Sequence, residues 1–448
     1  MSTETITIEK IVNGGYGLSH LASGQVILVR NVLPDEVVIV TPQEAKKNYL
    51  FGKVQEIRKG HPGRATPPCR YFGKCGGCDL QHSDYNTQLE IKKAILEDLL
   101  LRQESSPLKE VASKLPSPLP SPHFFHYRQR IRLQVDKDGQ PGFRRYRSHD
   151  IVAIDSCLLA EEHLNSSLRS LQNSEEAEQL IALSTEVELQ SNPDSGNCVV
   201  IFNFRRKIRP ADIKAAQKLC ETVISIERIF ISGKDFPLQG PFCSQQPESS
   251  TADNLMSCSL SLENGVEDFQ LSWEAGGFCQ VNLKQNKTLI ETVLQLSQPQ
   301  KEESLLDLYC GMGNFSIPLA FLVKEVFGIE GQGSAIRSAR RNATQAGLTN
   351  TNFKKSPVHT ACDQLIKEGK IFDTVVIDPP RQGAPELASQ LTQLTNKKLV
   401  YISCDPATLC RDLTALTSHG FSINKIVPID MFPQTHHIET VVILEKQV

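Results

Sequence analysis

The sequence predicts an α/β protein with a small β-barrel at its N-terminus, an α+β middle part and a doubly wound, Rossmann-like sheet at its C-terminus. Three observations carry that expectation. Residues 1–58 alternate apolar and polar positions in the runs ITIEKIV, GQVILVR, DEVVIVTPQ and LFGKVQEI, with turns such as NGGYG between them, and short strands spaced this way close into a small barrel. From Leu305 onward, apolar strand-like runs alternate with helical stretches, the pattern of parallel strands joined by crossover helices. The middle of the chain mixes both patterns without an internal repeat.

In chain order, residues 59–85 follow the barrel as a Gly/Pro-rich loop, HPGRATPPCRYFGKCGGCDLQH, and residues 86–102 read as an amphipathic helix with Leu89, Ile91, Ile95, Leu99 and Leu100 on its apolar face. The sequence KLPSPLPSP marks 103–122 as a linker or long loop. Within 123–270 the strands are IRLQV, DIVAI, NCVVIFNF and RIFIS, and helices fall near 160–182 and 210–222. The C-terminal strands are LLDLY, EVFGIE, TNFKKS, DTVVIDPP, KLVYISC, INKIVPI and TVVILE. Helices lie between them at 314–324, 333–346, 358–368, 385–396 and 405–418. These boundaries divide the chain at 1–60, 61–270 and 271–448.

Forty per cent apolar residues over 448 positions are enough for several cores. No run approaches the length of a membrane span, and MSTETITIEK lacks the basic and apolar regions of a secretory signal. A cytoplasmic protein without membrane contact is expected, its 13 cysteines serving as reduced thiols and a metal or catalytic site, not as disulfides. The net charge of −3 hides an asymmetry: residues 1–150 hold 22 Lys and Arg against 16 Asp and Glu, and the remainder 26 against 35. The densest basic stretch carries Arg128, Arg130, Arg132, Lys137, Arg144, Arg145 and Arg147. It reads either as a solvated basic face or as a surface for a polyanion.

Ligands of a doubly wound sheet bind at the carboxyl ends of its strands. Asp307-x-x-Cys310-Gly311-x-Gly313-x-Phe315 occupies such an end, and Glu330 ends the next strand about twenty residues on, where an acid can bind ribose hydroxyls. The bland alternative for Glu330 is an exposed strand-end carboxylate. Neither a third glycine nor a phosphate-binding lysine follows, which favours S-adenosylmethionine over NAD or ATP. Asp378-Pro379-Pro380 ends the fourth strand. Amino-methylating enzymes place an aromatic residue after such prolines, whereas here stands Arg381. Cys404 ends the next strand, with Asp405 as helix cap and Pro406 in the first turn, a position that depresses a thiol pKa. A buried inert cysteine is its alternative, and the better reading for Cys198, Cys220, Cys243, Cys258, Cys279, Cys310, Cys362 and Cys410. A poised thiol with one acid, Glu439, points to methylation of a carbon that is not itself nucleophilic. His436 and His437 read as structural or substrate-positioning groups. Cys69-x5-Cys75-x2-Cys78 supplies three ligands for zinc or an iron–sulfur cluster, the fourth lying elsewhere.

The motifs Phe278-x-Gln280-x-Asn282, DLYCGMGNFS, VVIDPPR, YISCDPATLCRD and DMFPQTHHIE together resemble the bacterial RNA (uracil-5)-methyltransferases. The resemblance covers nearly the whole chain and implies a TRAM-like, OB-type RNA-binding barrel, a central RNA-binding domain and a class I methyltransferase domain. It implies that Gln280, Tyr309, Asn314, Glu330 and Asp378 contact S-adenosylmethionine, that Cys404 is the nucleophile and Glu439 the base, and that Phe278 packs near the target base. It nominates Cys157 as the fourth ligand of a [4Fe–4S] cluster with Cys69, Cys75 and Cys78. Where the family often has an acid or amide beside adenine, this chain reads KKSPVHT, leaving Ser356 as a substitute. The barrel and the four cysteines favour an enzyme acting on one unstacked uridine of 23S ribosomal RNA, and a monomer is expected. The alternatives are the same reaction on tRNA and a non-catalytic, metal-stabilised RNA-binding or assembly protein.

Overall fold

The computed structural model describes residues 3–243, 254–263 and 265–447. They fall into two compact units: Met1–Phe124 with Pro379–Ala388 and Ile402–Val448, and Phe125–Asp378 with Ser389–Tyr401.

In the first unit the strands Glu4–Thr7, Lys10–Val12, Tyr16–His20, Val26–Val29, Val37–Ala45 and Tyr49–Lys59 form one sheet. Val37–Ala45 pairs antiparallel with Glu4–Thr7 and Tyr49–Lys59, and the latter runs parallel to Val26–Val29. The period-two alternation is obeyed: Val38 and Val40 are fully buried with Ile8, Ile27, Val29 and Leu33, and the residues between them face outward. Gly17 lies so close to its neighbours that a Cβ there would meet Val32 at 2.3 Å. The run ITIEKIV forms two strands, and Tyr16–His20 after the NGGYG turn is one more strand than the sequence reading held.

The helix Tyr85–Leu101 begins at Asp84, whose carboxylate accepts from Thr87 N at 2.8 Å. Ile91 and Ile95 complete the core against this sheet. The segment 103–122 is folded, not a loose linker. Ser106–Ala112 is a short helix with Leu108 fully buried. Beyond it Leu119 N donates to Pro428 O, and Leu119 O accepts from Asp430 N, both at 2.9 Å. Its prolines keep the chain extended, and its leucines supply the burial that holds it. The strands Phe421–Ile429 and Glu439–Lys446 pair antiparallel, with Ile429 opposite Glu439.

The second unit holds a mixed sheet in the order Phe236–Gln239, Ile226–Gly233, Asn197–Phe204, Ser184–Asn192, Arg130–Val135, Pro141–Arg144 and Ile151–Ala153. Ser184–Asn192 escaped the sequence reading because its buried positions include Glu188 and Gln190, which break the apolar pattern. Cys220 and Cys243 are joined in a disulfide across 5.7 Å between Cα atoms. The expectation of reduced thiols throughout fails at this pair, because the tertiary fold brings the end of the helix Pro210–Thr222 beside the segment after Phe236–Gln239, within bonding range. The other 11 cysteines take no part in a disulfide. The same unit carries a parallel sheet in the order Thr351–Lys355, Glu325–Glu330, Ser304–Leu308, Phe372–Ile377 and Thr395–Ser403. Among the described residues no helix is long and apolar enough to cross a membrane.

Candidate active site

Three carboxylates gather at the strand ends of the second unit. Asp307, fully buried on the central strand, accepts from Ser316 Oγ at 2.5 Å through Oδ2, while its Oδ1 has no hydrogen-bond partner. Desolvation pushes its carboxyl up to about 7, helped by the nearby charges of Asp378 and Glu330. Asp378 N donates to Leu308 O at 3.3 Å, and burial likewise raises the Asp378 carboxyl well above the ordinary range. Glu330 is half-buried and accepts from Gly311 N at 3.3 Å and Gln332 N at 2.7 Å. The loop between Asp307 and the helix Ser316–Ala320 turns through positive φ at Tyr309 (61°), Gly311 (55°) and Gly313 (90°). A non-glycine at 313 would also press on Ile317 at 2.8 Å. An unpaired buried carboxylate oxygen beside bent, close backbone fits a ligand with cationic and donor groups, which is the chemistry of S-adenosylmethionine.

Two amides hold this loop, and the motif reading missed both. Asn342 is fully buried; it donates to Met312 O at 2.9 Å and accepts from Ser272 N and Ser272 Oγ. Asn286 forms a reciprocal amide pair with Asn314, 2.8 and 3.0 Å. The Asn314 side chain is therefore engaged within the protein. Asn342 sits on the helix Gly333–Gln345, and Asn286 on Leu283–Ser297, a helix absent from the sequence reading. Ser356 Oγ donates to Pro357 O at 3.2 Å.

The segment 276–282 presents Phe278, 65% exposed, and half-buried Gln280. It is clamped from the start of the strand Arg130–Val135. Gln129 Nε2 donates to Gln280 O at 2.5 Å, Gln129 N to Val281 O at 2.9 Å, and Arg130 Nη1 to Gly277 O at 2.8 Å. Asn282 caps the next helix by accepting from Gln285 N.

In the first unit, Cys404 is half-buried between the strand Thr395–Ser403 and the helix Pro406–Ser418. Asp405 caps that helix, accepting from Ala407 N at 3.0 Å and Thr408 N at 2.9 Å. The thiols given the inert reading differ in kind. Desolvation pushes Cys198, Cys258, Cys362 and Cys410 up to about 12 and Cys279 to about 11. The helix also fastens the loop after the two prolines: Thr408 Oγ1 donates to Arg381 O, Arg411 Nη2 to Gln382 O, and Asp412 Oδ2 accepts from Ala384 N. Glu439 opens its strand with only 4% of its surface exposed. Just before it, His436 Nδ1 lies 2.6 Å from Asp79 Oδ2, which leaves His437 to face Phe432 edge-on. Desolvation, then the charges of His436 and Arg381, push His437 down to about 3. Cys404 and Glu439 thus belong to the same unit, one just after a strand and the other at the start of a strand.

Cys69, Cys75 and Cys78 lie half-buried on a loop of successive turns, where Gly77 N donates to Cys75 Sγ at 3.4 Å. Reduced thiols with an amide directed at sulfur are the donor chemistry of a thiolate metal site. Among the described residues, however, no three His, Cys, Asp or Glu side chains converge on a point where a metal ion would sit. Cys157, in the second unit, is half-buried, and its backbone N donates to Asn165 Oδ1.

A parallel doubly wound sheet, a glycine loop bent by positive φ and acids on successive strand ends define an α/β enzyme of the S-adenosylmethionine-dependent methyltransferase class. Residues 84–447 match the model of one family, described as tRNA (uracil-5-)-methyltransferase. The chain belongs to that family. It is 33% identical to an uncharacterised RNA methyltransferase of Thermotoga maritima over 99% of both chains. It is also 33% identical to the 23S rRNA (uracil(1939)-C(5))-methyltransferase RlmD of Shewanella halifaxensis, covering 98% of this chain and 95% of that one. Among solved structures it resembles Pyrococcus abyssi tRNA (uracil-54, C5)-methyltransferase in complex with S-adenosyl-L-homocysteine. That match has a TM-score of 0.72 at 25% identity, over 98% of this chain and 100% of that chain.

Proposed function

We propose that this protein methylates C5 of one uridine in 23S ribosomal RNA with S-adenosylmethionine, giving 5-methyluridine through a covalent cysteine adduct. The observation that carries the reading is Cys404, among the described residues the one thiol directly after a strand of the sheet that is half-buried, while six other cysteines are buried. Choice of 23S over transfer RNA follows the RlmD relatives matched over nearly their whole length.

Uracil C5 is a poor nucleophile. The Cys404 thiolate adds to C6, and the electron pair released onto C5 attacks the methyl carbon, whose bond to the sulfonium sulfur breaks to leave S-adenosylhomocysteine. Glu439 takes the C5 proton, the C6–S bond breaks and the ring double bond returns with the thiolate freed. Gln280, Tyr309, Asn314, Glu330 and Asp378 hold the donor, with Asp307 added to them by its open buried oxygen, and Phe278 stacks near the base. Residues 1–60 serve as a TRAM-like RNA-binding barrel, 61–270 as the central RNA-binding domain and 271–448 as the transferase domain, acting as a cytoplasmic monomer. Cys69, Cys75, Cys78 and Cys157 would hold a [4Fe–4S] cluster whose contribution would be structural, with no redox step. Support for it is the donor set of three cysteines on one loop, none of them in a disulfide. Zinc is separated from iron by the visible spectrum of anaerobically purified protein, since only the iron–sulfur centre absorbs there.

RNA carrying 5-fluorouridine tests the reaction. Fluorine cannot leave as a proton, so the enzyme should be trapped as a Cys404 adduct that survives denaturation, and Cys404→Ala should form none. A non-catalytic binder would give no adduct with either protein, and methylation of tRNA but not 23S fragments would overturn the substrate.

A further inference from the structure

The helix Tyr85–Leu101 carries a second stripe that its apolar periodicity conceals. Tyr85, Gln88 and Lys92 are spaced by three and four residues, which puts them on one face. All three reach the loop that ends at Glu439. Lys92 is fully buried, and its Nζ donates to Asp430 Oδ1 at 2.5 Å and to Phe432 O at 3.0 Å. Tyr85 Oη donates to Asp430 Oδ2 at 2.8 Å. Gln88 Nε2 donates to Gln434 Oε1 at 3.0 Å, and Gln88 Oε1 accepts from Gln434 N at 3.0 Å. Asp430 is itself fully buried, and its neighbour Ile429 stands opposite Glu439 across the strand pair.

We propose that Lys92, with Tyr85 and Gln88, is the positioning device for Glu439, holding the 430–437 loop so that the carboxylate stands where the C5 proton must be taken. A buried ion pair is a poor source of stability, because removing two charges from water costs about what their attraction returns. A buried pair is better explained by what it orients. Gln434 sits at φ 70°, a left-handed conformation rare for glutamine. Its carbonyl accepts from both Asp79 N at 3.0 Å and Leu80 N at 3.1 Å, so both the turn and the strand exit are gripped. Lys92 touches no reacting atom in this account. Desolvation lowers its ammonium below the ordinary lysine range, opposed by the Asp430 charge.

This inference rests on Glu439 being the base proposed above. Proton removal follows methyl transfer, so a displaced base does not prevent attack by Cys404. It makes the methylated adduct persist. The experiment compares wild type, Glu439→Gln, Lys92→Met and Tyr85→Phe on ordinary uridine-containing RNA with S-adenosylmethionine. It measures adduct formation rate and the steady-state fraction of protein covalently bound, beside thermal melting. Glu439→Gln should accumulate adduct, and its failure to do so would remove the base assignment itself. With that control in place, Lys92→Met should accumulate adduct at least about tenfold over wild type, with formation slowed less than about threefold. Tyr85→Phe, which removes two hydrogen bonds (to Asp430 and from Ser121 N) and no charge, should do so to a smaller degree and lower the melting temperature less than Lys92→Met. If Tyr85→Phe and a folded Lys92→Met both release product as fast as wild type, or lose adduct formation and product equally, the stripe is structural and the proposal is wrong. Should Lys92→Met not fold, Tyr85→Phe and Gln88→Leu carry the same comparison.

Discussion

Arg130 and Glu188 form a buried ion pair on adjacent strands, with Nε 2.8 Å from Oε1, and Arg132 shares the same carboxylate at 2.6 Å. The most basic stretch of the chain is therefore not a uniform polyanion surface. Arg130 is spent on Glu188 and on the carbonyls of Gly276 and Gly277, whereas Lys137, Arg144, Arg145 and Arg147 are exposed. Arg130→Met should weaken binding of S-adenosylhomocysteine or slow adduct formation while leaving the salt dependence of RNA binding unchanged. Arg145→Met should instead lower the slope of log K against log salt by about one and spare donor binding. Titration calorimetry and filter binding over a salt series distinguish them.

The second unit should lose stability as pH rises. The Asp307 carboxyl titrates near about 7 when folded and near about 4 when unfolded. Between those values the unfolded state has released a proton that the folded state keeps. The contribution is thus fully present below about pH 4 and gone above about 7. Asp307→Asn should flatten this slope and raise the melting temperature at pH 8. A cationic donor favours the ionised form, so affinity for S-adenosylmethionine should rise with pH across the same window, read by calorimetry.

The first unit should show the opposite sign. His82 donates Nε2–H to Val32 O at 3.1 Å and is held down to about 4 by desolvation, and His437 to about 3. Unfolded histidine titrates near about 6.5. Their contribution is present above that pH and is lost as pH falls toward 4, because only the unfolded chain takes up the protons. His82→Gln should be less stable at pH 7.5, and its denaturant midpoint should fall less than that of wild type between pH 6.5 and 4.5.

Asn342→Ala should destabilise by about 1–3 kcal/mol, measured by urea unfolding. It strands Met312 O and Ser272 N in the interior. Because Met312 belongs to the glycine loop, donor affinity should fall with stability.

Alkylation of the native protein should mark Cys404 and leave Cys198, Cys258, Cys362 and Cys410 untouched until denaturation, since thiolates are the reactive form. If the proposed cluster is present, Cys69, Cys75 and Cys78 should be protected as isolated and become reactive after treatment with a chelator. Peptide mass mapping before and after chelator reads both results.

Much of the donor half was legible in the chain. The glycine loop, Glu330 and Asp378 fall at strand ends of the second unit because a doubly wound sheet puts such ends on one edge, Cys404 follows directly on a strand, and strands with period-two or continuous apolar runs announce themselves. Glu439 was legible as a lone acid before an apolar strand, although its burial was not. The folded 103–122 segment, the strand Ser184–Asn192 and the Cys220–Cys243 bond were not, since each depends on a partner distant in sequence.

Sequence alone determined the strand–helix order, the thiol with its capping Asp405, and the family, because these are set by local periodicity and by residues adjacent in the chain. Tertiary structure alone decided which polar groups are spent on one another: Lys92 on Asp430, Arg130 on Glu188, Asn314 on Asn286. A buried charge or amide must find its partner wherever the fold brings one, and separations such as the 338 positions between Lys92 and Asp430 leave no periodic trace.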